Sequence, residues 1–184
     1  MGKKILILNG SPREKGNTAA LVEEFTKGAE EAGNEVVSFY LHPMNIHGCL
    51  GCYGGGKDSS SPCVQKDDME KIYPYYKEAD IVVLASPMYY WTISGQLKTA
   101  IDRLFAVAEI KGKYDRVPKG GILLMAGAGN DEDNLEPVAH YFHSLMKQMN
   151  WKDMGLVYSG GNSKCGDIKG KADLEEARKL GAGI

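Results

Sequence analysis

The sequence predicts an α/β fold, a parallel sheet covered by helices on both faces in a doubly wound three-layer sandwich. Two observations carry this expectation. Residues 5–8, 81–85 and 121–126 are apolar throughout rather than alternating, which is the pattern of strands buried on both faces. Stretches with apolar residues at helical spacing separate these runs, and the two kinds of segment alternate to the end of the chain. With 184 residues the chain is expected to form one domain, large enough for a proper core.

The elements follow in order. Ile5, Leu6, Ile7 and Leu8 read as the first strand. Leu21, Phe25, Gly28, Ala29 and Ala32 share one face of the first helix, which Gly33 and Asn34 close. Residues 35–41 read as strand two. Residues 42–66 form a long irregular insertion rich in Gly, Ser and Cys. Asp67 with Glu70 has the form of a capping box opening a helix whose apolar face is Met69, Ile72, Tyr73 and Tyr76. Pro74 is expected to kink or shorten it. After the strand at 81–85, Ile93, Leu97, Ala100, Ile101, Leu104 and Phe105 give the clearest helical stripe. The strand at 121–126 precedes a helix lined by Val138, Tyr141, Phe142, Leu145 and Met149. Residues 154–158 are a weaker fifth strand, and Asp173 with Glu176 opens a final short helix.

Composition narrows the function classes. The formal net charge is −2, from 22 basic and 24 acidic residues, which argues against nucleic acid as the main partner. No apolar stretch approaches the length of a membrane span. A strand at the very start leaves no room for a signal peptide, so a cytoplasmic protein with reduced thiols is expected.

Ligands in such sandwiches sit beyond the C-terminal ends of the strands, where loops 9–18, 86–95 and 126–134 fall. The first loop, from Asn9 to Thr18, combines backbone N–H groups, the hydroxyls of Ser11 and Thr18, the fixed charge of Arg13 and a helix N-terminus. It therefore points to a phosphate-bearing ligand. It is neither of the common phosphate loops. Five residues rather than four separate Gly10 from Gly16, Asn17 stands where a Walker lysine would be, and Ser11-Pro12 breaks the dinucleotide pattern. The second loop carries Pro87, Met88, Tyr89, Tyr90 and Trp91, an aromatic cluster that suits either a flat bound ring or a subunit interface. The third, Gly127, Ala128 and Gly129, reads either as a close backbone approach to a ligand or as a plain turn. Cys49 and Cys52 form a Cys-x-x-Cys pair, with Cys63 in the same insertion; zinc would need two further ligands, and His42 and His47 are the nearest in sequence. His140 and His143 share a helix face without matched carboxylates and read as surface or interface residues.

Taken in order over roughly the first 130 residues, these motifs are far more specific than any one alone. They are the first loop, the Cys-rich insertion, Asp67-Asp68-Met69, and Ser86 to Tyr90 followed by Ser94-Gly95-Gln96-Leu97-Lys98 and Asp102-Arg103. The sequence resembles the NADPH-dependent FMN reductase and iron–sulfur flavoprotein family. That resemblance implies a flavodoxin-like fold with sheet order 2-1-3-4-5 and FMN as cofactor. The phosphate would lie on Ser11, Arg13, Gly16, Asn17 and Thr18, the ring system against Pro87, Met88, Tyr89, Tyr90 and Trp91, and Gly127, Ala128 and Gly129 beside its far side. It also implies NAD(P)H as hydride donor, a small electron acceptor such as a quinone, a nitro or azo aromatic or an oxidised metal, and a homodimer with the flavin near the interface. A tetramer stays open. No catalytic triad is expected, because the flavin carries the chemistry. The alternatives are a non-enzymatic flavin electron carrier and a thiol- or metal-responsive flavoprotein.

Iron–sulfur members carry four cysteines as C-x2-C-x2-C and a fourth a few residues on. Cys49 and Cys52 match the first two and Cys63 the last, but Gly55 stands in the third place. A [4Fe–4S] cluster normally takes four thiolates, so no cluster and no metal are expected here.

Overall fold

The computed structural model describes residues 2–56, 58, 60–108, 118–130 and 132–184. Residues 57 and 59 of the predicted insertion and residue 131 of the third predicted loop lie outside the described residues.

Each apolar run is a strand with two buried faces. The strands are β1 (Lys4–Asn9), β2 (Glu35–Tyr40), β3 (Ile81–Pro87), β4 (Gly120–Ala126) and β5 (Lys152–Ser159). They pair in parallel in the order β2-β1-β3-β4-β5. The period of two sorts their side chains onto opposite faces. Ile5, Ile7, Val83, Ile122 and Leu124 join one core with Leu21 and Phe25 of α1 (Asn17–Glu31) and Ala177 of α6 (Ala172–Ala182). Leu6, Leu8, Val82, Leu84, Leu123 and Met125 join the other. That core is completed by α2 (Met69–Glu78), α3 (Gly95–Arg103), α4 (Phe105–Ala108) and α5 (Glu132–Met149). This is the predicted three-layer, flavodoxin-like sandwich, strand order included. Among the described residues no helix is long and apolar enough to cross a membrane.

Local chemistry departs from the sequence patterns in three places. Neither capping box forms. α2 starts at Met69, and its N-cap Asp68 makes no side-chain cap; the Asp67 carboxylate accepts from the Met69 N–H instead of closing the box at Glu70 and is shared with Arg103 and the His47 backbone N–H, while Glu70 accepts from Ser61 Oγ. α6 starts at Ala172 after an uncapping Lys171, and Asp173 accepts instead from Ser159 Oγ. The long stripe from Ile93 to Phe105 is two helices, α3 and α4, with Ile93 ahead of both. Pro74 stands inside α2, and the helix runs through it to Glu78.

Candidate functional site

All strands being parallel, their C-terminal ends share one edge, and the order reverses between β1 and β3. A cleft opens at that switch point, as expected for this topology. Its volume is about 350 Å³. The structure brings Ser11, Arg13, Gly16, Asn17, Thr18, Pro87, Met88, Tyr89, Gly127 and Ala128 of the predicted set together around it.

The loop after β1 is held from within. Asn9 Oδ1 accepts from the Ser11 backbone N–H at 3.0 Å, and Ser11 Oγ accepts from the Arg13 N–H at 3.1 Å. Ser94 Oγ donates to the Gly10 carbonyl at 2.7 Å and accepts from the Leu97 N–H, so one hydroxyl caps α3 and pins the loop. A Cβ at Gly10 would sit 2.5 Å from Ser94 Oγ and 2.6 Å from Leu97 Cβ, so only glycine fits that crossing. α1 then begins with Gly16 as its N-cap and no side-chain cap. The first N–H groups of the helix face the cleft without intrahelical acceptors, a ready site for a phosphate beside the Arg13 guanidinium.

Asn17 has a second task. Its Nδ2 donates to the Lys164 carbonyl at 2.8 Å and its Oδ1 accepts from the Gly166 N–H at 2.9 Å. The side chain thus ties the loop after β5 to the start of α1. That loop is the part the sequence reading missed: Asn162 and Ser163 also line the cleft, beside Ala126 at the end of β4. The signal was present, since Gly160-Gly161-Asn162-Ser163 follows a strand that ends on the same edge.

Asn162 is 8% exposed, and its Oδ1 has no hydrogen-bond partner among the described residues. Its orientation is settled by its other end. Nδ2 donates to the Ser159 carbonyl, Ser159 Oγ and the Gly160 carbonyl at 2.7, 2.9 and 3.0 Å, and a flipped amide would set an oxygen against two carbonyls. A buried acceptor without a donor costs about 1–3 kcal/mol.

Gly129, Tyr90 and Trp91 lie outside this lining. Tyr89 and Thr92 exchange backbone hydrogen bonds around Tyr90 and Trp91, both at positive φ (48° and 60°). Two left-handed central residues make a tight turn that normally takes Asn and Gly. Tyr90 is 93% exposed, and Trp91 Nε1 donates to Asn134 Oδ1 of α5 at 3.1 Å. Gly129 instead accepts from the Tyr158 hydroxyl.

The cysteines behave differently. Cys165 sits in the loop that Asn17 ties down, while Cys49, Cys52 and Cys63 line a separate cavity. Among the described residues no three His, Cys, Asp or Glu side chains are placed to hold a metal ion. A Cβ at Gly55 would sit 2.8 Å from the Ala106 Cα, so the backbone of α4 occupies the place a third thiolate would need. The residues present do not fit a four-thiolate cluster.

A parallel sheet of this order with a phosphate-type cleft at its switch point defines a flavodoxin-like nucleotide-cofactor protein. A sequence model of the NADPH-dependent FMN reductases matches residues 3–163, and the chain belongs to that family of FMN-dependent oxidoreductases. It is 34% identical to an iron–sulfur flavoprotein of Archaeoglobus fulgidus over 95% of this chain and 76% of the relative. It is 29% identical to one of Methanocaldococcus jannaschii, over 97% and 93%. Among solved structures, an NAD(P)H:quinone oxidoreductase from Methanothermobacter marburgensis superposes with a TM-score of 0.76 at 21% identity, over 99% of this chain and 96% of that one. An azoreductase from Bacillus anthracis superposes at 0.71 and 23% identity, over the whole of both chains.

Proposed function

We propose that this chain is a single cofactor-binding domain that uses FMN to pass electrons from NAD(P)H to a small aromatic acceptor of quinone or azo type. The observation that carries the reading is the meeting of Ser11, Arg13, Thr18 and the α1 N-terminus around one cleft at the switch point, with the buried, unpartnered Asn162 Oδ1 in its wall. Such a site asks for a ligand with an anion at one end and hydroxyl donors beside it. FMN has both, and the family fixes it as the cofactor. When bound, FMN supplies hydride acceptance and onward electron transfer; the protein supplies position.

The chain's own residues divide that work. The α1 N-terminus, Ser11, Thr18 and Arg13 hold the phosphate. Asn162 accepts from a ribityl hydroxyl, close to the phosphate end because Asn17 ties residues 164–166 to the start of α1. Met88, whose N–H donates to the Ala126 carbonyl at 2.8 Å, fixes the distance between the two loops that border the ring. Tyr89 lines the open side, where nicotinamide and then the acceptor would stack in turn. The exposed Tyr90–Trp91 turn supports a homodimer in which this tip lies against the partner. Four free thiols suit a reducing cytoplasm.

Asn162→Ala tests the assignment. FMN affinity should fall roughly threefold to tenfold, the worth of one neutral hydrogen bond, while lumiflavin, which lacks the ribityl chain, should bind both proteins alike. Flavin fluorescence titration reads both. An equal loss for both flavins would place Asn162 against the ring, and no loss for either would remove it from the site.

A further inference from the structure

The loops after β3 and β4 are joined by a second tie besides the Met88–Ala126 hydrogen bond, just outside the cleft lining. Asn134, in the first turn of α5, makes it. Its Oδ1 accepts from Trp91 Nε1–H, in the loop after β3, at 3.1 Å. Its other side lies on Gly129, in the loop after β4: a Cβ there would sit 2.2 Å from Asn134 Nδ2 and 2.5 Å from its Cγ. Only glycine lets the amide lie this close to that backbone. Two lining residues stand next to the ends of this strut, Tyr89 two positions before Trp91 and Ala128 immediately before Gly129.

The two ends are held with different firmness. The Gly129 carbonyl accepts from the Tyr158 hydroxyl at 2.8 Å and from the Gly161 N–H at 3.2 Å. A Cβ at Gly160 would sit 2.5 Å from the same carbonyl oxygen, so this loop is clamped against the one after β5. The base of the strut is also fixed, since Val138, one turn further along α5, is buried in the core.

The Trp91 end carries strain. Tyr90 and Trp91 are both left-handed, a conformation that costs energy for residues with a side chain. Tyr90 is almost wholly exposed and Trp91 more than half exposed, so burial of their rings offsets little of that cost. The backbone pair between Tyr89 and Thr92 closes the turn, and the hydrogen bond to Asn134 ties its tip to the body of the protein. A turn under strain relaxes when such a tie is lost, and Tyr89 would move with it.

We propose that Asn134 is a positioning residue for the flavin ring. It lies outside the cleft lining and acts through its neighbours, holding the strained turn against the clamped loop and so setting the width of the slot between them. The inference rests on the placement of the ring between these loops given above.

Asn134→Leu keeps the size of the side chain and removes the acceptor. Lumiflavin, the ring alone, should bind this variant roughly threefold to tenfold more weakly, the worth of one neutral hydrogen bond. FMN should lose the same factor, because its phosphate contacts are untouched. Asn134→Asp keeps an oxygen for Trp91 Nε1–H and should restore both affinities. In a ¹H–¹⁵N spectrum the Trp91 indole cross-peak, assigned by its loss in Trp91→Phe, should move upfield in Asn134→Leu and back downfield in Asn134→Asp. Trp91→Phe removes the donor from the other end and should weaken lumiflavin by a similar factor, with no further loss in the double variant; it tests the same bond if Asn134→Leu does not fold. Tyr89→Ala separates this inference from the placement of the ring. Weaker lumiflavin binding in Tyr89→Ala with none in Asn134→Leu would overturn the positioning role alone. Unchanged binding in both would overturn the placement of the ring and the positioning role with it.

Discussion

Asp67→Ala should lower the unfolding free energy by about 3–5 kcal/mol, the cost of leaving a buried charge without its partner. Asp67 joins three parts of the molecule. It accepts from the Arg103 guanidinium on α3, from the His47 N–H in the insertion at 3.0 Å, and from the Met69 N–H at the start of α2 at 3.1 Å. Arg103 also ties α3 to α2, its carbonyl accepting from the buried Tyr73 hydroxyl. Removing the carboxylate strands a guanidinium that is almost wholly enclosed. Urea unfolding at neutral pH reads the loss. The double variant Asp67→Leu/Arg103→Met should recover most of it, because the charge leaves with its partner. If Asp67→Ala unfolds like the unmodified protein, the pair is not buried as described.

The same pair sets an acid limit. Burial raises the Asp67 carboxyl, but the hydrogen bonds from Arg103 and the two backbone N–H groups outweigh it and hold the group below its ordinary value. A carboxyl depressed in the folded state contributes its full stability above the ordinary value of about 3.9 and loses it as pH falls through the folded value. Acid unfolding should therefore steepen below about pH 4, and Asp67→Ala should flatten that limb.

Arg13→Ala should weaken FMN binding by about tenfold to a hundredfold while leaving stability nearly unchanged. Arg13 is exposed at the cleft, and its backbone, not its side chain, makes the loop's hydrogen bonds: its N–H donates to Ser11 Oγ and its carbonyl accepts from Ser11 Oγ and the Gly16 N–H. The guanidinium is thus left for a ligand. Lumiflavin, which has no phosphate, should bind the variant and the parent alike. Undiminished FMN affinity in Arg13→Ala would move the phosphate elsewhere.

The layers of the fold were legible because strands buried on both faces leave little choice of residue. Ile5 to Leu8 had to be apolar at every position, and the turn residues around them marked the crossovers. Helix starts were less legible. Asp67 and Asp173 sit where cap residues would, but a carboxylate goes to the strongest donor in reach. For Asp67 that donor is Arg103, distant in sequence. Asp173 accepts from Ser159 Oγ at the end of β5. The phosphate loop could be read because its ligands are contiguous. Asn162 could not, since its importance lies in an unpaired oxygen that only the packing of Ser159 and Gly160 reveals. The cysteines showed as a motif with a gap at Gly55, yet only the contact with Ala106 shows the gap to be closed by backbone.

The most direct test is the absorbance spectrum of protein purified without oxygen, taken with an iron assay and repeated after adding NAD(P)H. An FMN-dependent oxidoreductase without a cluster predicts two resolved flavin bands at about one FMN per chain, no bound iron, and bleaching of those bands by the nicotinamide. A broad absorbance with stoichiometric iron, or protein that neither carries FMN nor takes it up, would contradict the account.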